Sequence, residues 1–121
     1  MTTTTNASGY LTLTTAAAIS EGQRVKITSA GLADVAGATD PAIGTAHAAA
    51  ASGGTVTVKL WSAPGTFLVV AAAAISRGAQ LYPAAAGEVD DTGTTKIGLV
   101  AKEAATAQGD LIEAVPCMLG A

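Results

Sequence analysis

The chain has 121 residues and a mass of 11.7 kDa, which at roughly 100 to 200 residues per domain leaves room for one domain and excludes a multidomain enzyme. Half of the residues are hydrophobic, but 29 of them are alanine against 24 valine, isoleucine and leucine, so the large side chains make a thin core that an oligomer or a bound partner would complete. Six basic and nine acidic residues give a formal charge of -3 and a pI near 4.8, without the Lys/Arg clustering that neutralises phosphates, which argues against a nucleic-acid partner.

The N-terminus, MTTTTNASGY, has neither the basic region nor the apolar region of a secretory signal, and residues 1–9 read as a flexible arm. Thr2, Thr3, Thr4, Thr5 and Asn6 have no apolar periodicity and nothing large to bury, yet threonine suits an extended strand. Such a segment can add to a neighbouring subunit's exposed sheet edge, which makes these five residues candidate contacts. From Tyr10 the chain reads as one β domain, 10–121.

Gln23 to Ile27 alternates, with Val25 and Ile27 on one face and Arg24 and Lys26 on the other; the first pair is expected to face the core. The alanine run Ala48 to Ala51 follows His47, and glycine or β-branched neighbours limit it to a turn of helix or a closely packed strand. Gly53-Gly54 lacks the lysine and following helix of a phosphate loop and reads as a hairpin turn. Thr55 to Leu60 alternates polar and apolar, the pattern of a half-buried strand. Trp61 and Phe67, the two largest apolar side chains, flank the turn Ser62 to Gly65 and are expected to meet across a hairpin as packing anchors.

The longest run without a polar residue, Phe67 to Ile75, has nine residues where a bilayer takes roughly 20, so no membrane-spanning helix is expected. Pro83 stands where the first half has Ile27 and should shorten its strand. Asp90-Asp91, amid glycine and threonine, is a solvated turn before it is a Ca²⁺ site. Cys117, alone in VPCML, permits no intrachain disulfide and reads as a small buried hydrophobe.

The chain resembles itself. AAAISEG at Ala16 to Gly22 returns as AAAISRG at Ala72 to Gly78, Ala30-Gly31 as Ala86-Gly87, and TVTVKL at Thr55 to Leu60 as LIEAVP at Leu111 to Pro116. These define two pseudo-repeats, about 16–63 and 72–119. With glycines every ten residues or so, the fold class is all-β: a small sandwich or barrel of two similar halves with at most short helical turns.

The chemical inventory is poor. His47, Cys117 and scattered carboxylates form no nucleophilic set and no metal-ligand spacing, so no catalytic, cofactor or metal residues are assigned and an enzyme is not expected.

The phrase AAAISEGQRVKITSAG, followed by DPAIGTA and GGTVTVKLW, with AAAISRGAQLYPAAAGEV, KIGLVA and QGDLIEAV in the second half, resembles the small bacteriophage capsid decoration proteins over about Tyr10 to Leu119. These are also called capsid cement or head-stabilising proteins. The resemblance implies a mainly β structural protein of the virion that sits on the outer face of an icosahedral shell, usually as homotrimers, and staples neighbouring copies of the major capsid protein, with no cofactor. On that reading the Thr2 to Asn6 arm reaches the capsid or an adjacent trimer. The alternative is a receptor- or glycan-binding surface module, for which Tyr10, Trp61 and Tyr82 are the aromatics that could serve.

Overall fold

The computed structural model describes residues 8–118, and the candidate contacts Thr2, Thr3, Thr4, Thr5 and Asn6 lie outside the described residues. The fold is mainly β. Ten short strands run β1 (Tyr10–Thr14), β2 (Arg24–Ile27), β3 (Ala33–Val35), β4 (Gly44–Ala46), β5 (Thr55–Leu60), β6 (Phe67–Val70), β7 (Tyr82–Pro83), β8 (Val89–Asp90), β9 (Leu99–Ala101) and β10 (Leu111–Pro116). One 3₁₀ turn, Ala85–Gly87, separates β7 from β8.

The first five strands form one antiparallel sheet in the order β1-β5-β4-β2-β3. Its register is set where alternation is strongest: Leu11 and Leu13 oppose Val58 and Val56, while Thr12 and Thr14 oppose Thr57 and Thr55. Thr15 then bridges in parallel to Ala33 of β3, so the two outer strands meet and the sheet curls toward closure. The later strands pair alike: β6-β10-β9 form one sheet, β7-β8 another, Gln80 bridges to Val100 of β9, and Ala71 bridges in parallel to Val89 of β8.

Each group of strands encloses its own apolar cluster. Ile19, Val25, Ala33, Ala46, Val56 and Val58 fill the first, and Phe67, Val69, Ala71, Ile75, Leu81, Val89, Leu99, Ala101, Ala105, Ile112 and Ala114 fill the second. The alanine excess has its use here, because strands curled this tightly leave room at many inward positions for no more than a methyl group. Gly44 shows the limit: a Cβ there would overlap the carbonyl oxygen of Lys59 on β5.

Three expectations change. β5 and β6 flank the turn Ser62 to Gly65 without pairing, since β5 pairs with β1 and β4 and β6 with β10; the segment crosses between strand groups and is not a hairpin. In β2 the inner residue is Val25, but Ile27, at the strand end, is 46% exposed, while Arg24 on the face read as outer is 1% exposed. That face lies against the second group of strands, which no local pattern reveals. Cys117 is half-buried, beyond the end of β10. The alanine run Ala48 to Ala51 takes the extended one of its two expected forms, with Ala50 bridging to Ile19. β7, for its part, ends at Pro83 after two residues, because proline has no N–H to continue a ladder.

Candidate interaction surface

The two groups of strands are joined through Arg24. Its Nη2 donates to the carbonyls of Ala84 at 2.6 Å and of Ala36 and Gly37 at 3.4 Å, and its Nε donates to Glu88 O at 3.1 Å. A guanidinium can reach carbonyls of both groups at once because its donors are fixed in a planar fork. Burial holds its pKa below the ordinary arginine value, with Asp40 partly offsetting this. Beside it Gln23 Nε2 donates to Ala86 O at 2.9 Å, and Gly87 N donates to Ala36 O at 2.8 Å. Gly87 has φ 71°, and a Cβ there would stand 2.8 Å from Val35 Cγ1 and 3.1 Å from Arg24 N, so a side chain would both strain the turn and push the groups apart.

The outward face of β6 and β10 is apolar except for Glu113. Leu68 is 43% exposed, Leu111 45% and Val115 37%. Strand pairing puts Leu68 opposite Glu113, Leu111 opposite Val70, and Val115 opposite Val100 of β9. Glu113, in the middle of this row, is held by Lys102 Nζ at 2.8 Å and by the Thr66 hydroxyl at 2.6 Å. The corresponding face of β1 and β5 carries Thr12, Thr14, Thr55 and Thr57. Threonines shed little free energy on leaving water, whereas exposed leucine and valine in one row mark a surface for a partner. The alternation was legible in the sequence; the exposure of this side was not.

Of the residues singled out from sequence, Trp61 and Phe67 lie together with ring centroids 5.2 Å apart at 56°, and Trp61 Nε1 donates to Ala42 O at 2.8 Å. The indole is therefore engaged inside the chain. His47 is exposed, with the Tyr10 ring edge-on at 5.4 Å. Asp90 Oδ1 accepts from Asp91 N at 2.8 Å, a local turn contact. Among the described residues no group of three or more His, Cys, Asp or Glu could hold a metal ion, and no helix is long and apolar enough to cross a membrane.

Three half-buried carboxylates are held below their ordinary range: Asp40 by the Gly37 N–H and then Lys26, Asp110 by the N–H and hydroxyl of Thr106 and the N–H of Ala107, and Glu113 by Lys102 and Thr66. Lowered carboxylate pKa values stabilise the fold above the unfolded values and lose that contribution as pH falls through the folded ones. The melting temperature is accordingly expected to hold from pH 7 to about 5 and to fall below about pH 4. Asp110→Asn should flatten part of that fall; an acid limb identical to that of the parent protein would show that the Thr106 turn contributes nothing.

The family model described as phage cement protein matches residues 3–115. Among solved structures, the head fiber gp8.5 N base of bacteriophage phi29 is similar in fold, with a TM-score of 0.72 at 16% identity over 88% of this chain and 92% of that one. No curated protein sequence matches.

Proposed function

The chain belongs to the phage cement protein family, whose members are capsid-associated structural proteins, and from that premise we propose that it binds the outer surface of a phage capsid and stabilises it by bridging neighbouring major capsid subunits. The observation that carries this reading is the apolar row Leu68, Leu111 and Val115 on a sheet face that nothing in the chain fully covers. A protein that binds only the assembled shell stabilises that state by mass action, and bridging adds interface that must break before the shell opens. No catalytic step, cofactor, nucleic acid or membrane enters this role. The acting species is a homotrimer, and the Thr2 to Asn6 arm tethers it to the shell or to an adjacent trimer. The receptor- or glycan-binding reading needs aromatic platforms, and no observation favours it.

The test is electron microscopy of intact particles with shell occupancy measured in parallel. Density of this size over capsid junctions is expected, and Val115→Asp, which leaves the contact of Leu111 with Gly22 untouched, should lower affinity for shells roughly tenfold or more, the loss of about 1.4 kcal/mol or more of apolar burial. Deleting Thr2 to Ser8 should leave the melting temperature nearly unchanged while reducing occupancy. Equal occupancy at matched concentration would remove the tether, and density confined to tail tips would sink the capsid reading.

A further inference from the structure

The internal contact between the two groups of strands runs in one direction. Gly22 and Gly78 occupy like turns before β2 and β7, and Gly31 and Gly87 occupy like turns before β3 and β8. A Cβ at Gly22 would stand 2.6 Å from Leu111 Cδ2 and 3.3 Å from Val70 Cγ2, whereas one at Gly78 would meet nothing within 4 Å. At Gly87 it would meet Val35 and the backbone of Arg24, whereas at Gly31 it would meet nothing. A two-fold relation would fill both members of each pair, because each contact would then have its mirror. Only one member of each is filled. The contact is therefore head-to-tail, and such a contact leaves one unused face at either end.

We propose that these two unused faces meet between copies of this chain: the turn at Gly78 with Thr92, on one copy, against the turn Thr28 to Leu32 on the next. Each chain would then repeat with its neighbour the contact it already makes within itself, and a closing rotation would give a ring. Ser29, Ala30, Gly31, Arg77, Gly78 and Thr92 are exposed and available for it. The contact between copies is more polar than the internal one, since Gln80 stands where the internal contact has Arg24, and Thr12 and Thr14 stand where it has Leu68 and Val70. This names the surfaces of the proposed homotrimer and rests on that reading.

Two exposed sites separate the surfaces without touching either core. Ala30→Arg blocks the turn and leaves the Gly78 face intact, and Thr92→Arg does the reverse; thermal melts check that both variants fold. Light scattering of the full-length protein should give about three times the chain mass, each variant alone should be monomeric, and an equimolar mixture should be a dimer, because the open face of one still meets the open turn of the other. If the parent is trimeric and either variant remains so, or if a single variant dimerises alone, these surfaces are wrong while the trimer stands. A monomeric parent at near-millimolar concentration overturns both.

Discussion

Phe67→Ala is expected to cost about 3 to 5 kcal/mol and to lower the melting temperature by roughly 10 to 25 °C. Phe67 is 1% exposed, opens β6, and belongs to the larger apolar cluster with Leu81, Leu99 and Ile112. It is also where the first group of strands touches that cluster: Trp61 arrives from the end of β5 with its ring 5.2 Å away, and Lys59 Nζ lies 4.8 Å over the phenyl ring. Lys59 Nζ also donates to Thr66 O, which fixes the crossing segment between the groups. Truncation removes an aromatic pair and a cation-π contact along with the buried area, and leaves a cavity that strands pinned by ladder hydrogen bonds cannot collapse to fill. Since Trp61 is the sole tryptophan, its fluorescence reports the change directly. Phe67→Leu should recover most of the loss. A melting temperature within a few degrees of the parent would show that Phe67 bears no such load.

Arg24→Leu is expected to cost about 3 kcal/mol, and the loss falls on the seam between the groups. Hydrogen bonds from a charged donor contribute about 1.5 to 3 kcal/mol each, and a buried carbonyl left without a donor costs about 1 to 3 kcal/mol. Leucine supplies the volume and none of the donors, so the carbonyls of Ala84 and Glu88 lose the partner that ties them to β2. Part of the loss is offset because a guanidinium need no longer be desolvated. Arg24→Lys should restore little, since one ammonium cannot reach the positions that Nε and Nη2 hold together. Urea unfolding followed by Trp61 fluorescence and by circular dichroism checks both points: the probes should coincide in the parent and separate in Arg24→Leu, as the two clusters become less coupled. Coincident curves with unchanged midpoint would mean that the groups are held by apolar contact alone.

The all-β class, the strand positions of Thr55 to Leu60 and Leu111 to Pro116, and the early stop at Pro83 were determined by the sequence alone, because each depends on a local rule: a period of two, or a missing N–H. What only tertiary structure decided are the partners. Alternation in β2 separates Val25 from Arg24 but cannot say that the arginine side is buried too, since what buries it is a turn some sixty residues further along the chain. Trp61 and Phe67 are neighbours in sequence and in space, yet the turn between them joins strands that never pair, a fact of strand order and not of turn residues. The like-patterned faces of β1 with β5 and of β6 with β10 differ in threonine against leucine and valine, and sequence shows that difference plainly. That the apolar one is left exposed, and is thereby fitted to a partner, depends on how far one group of strands reaches over the other, which is set by long-range packing alone.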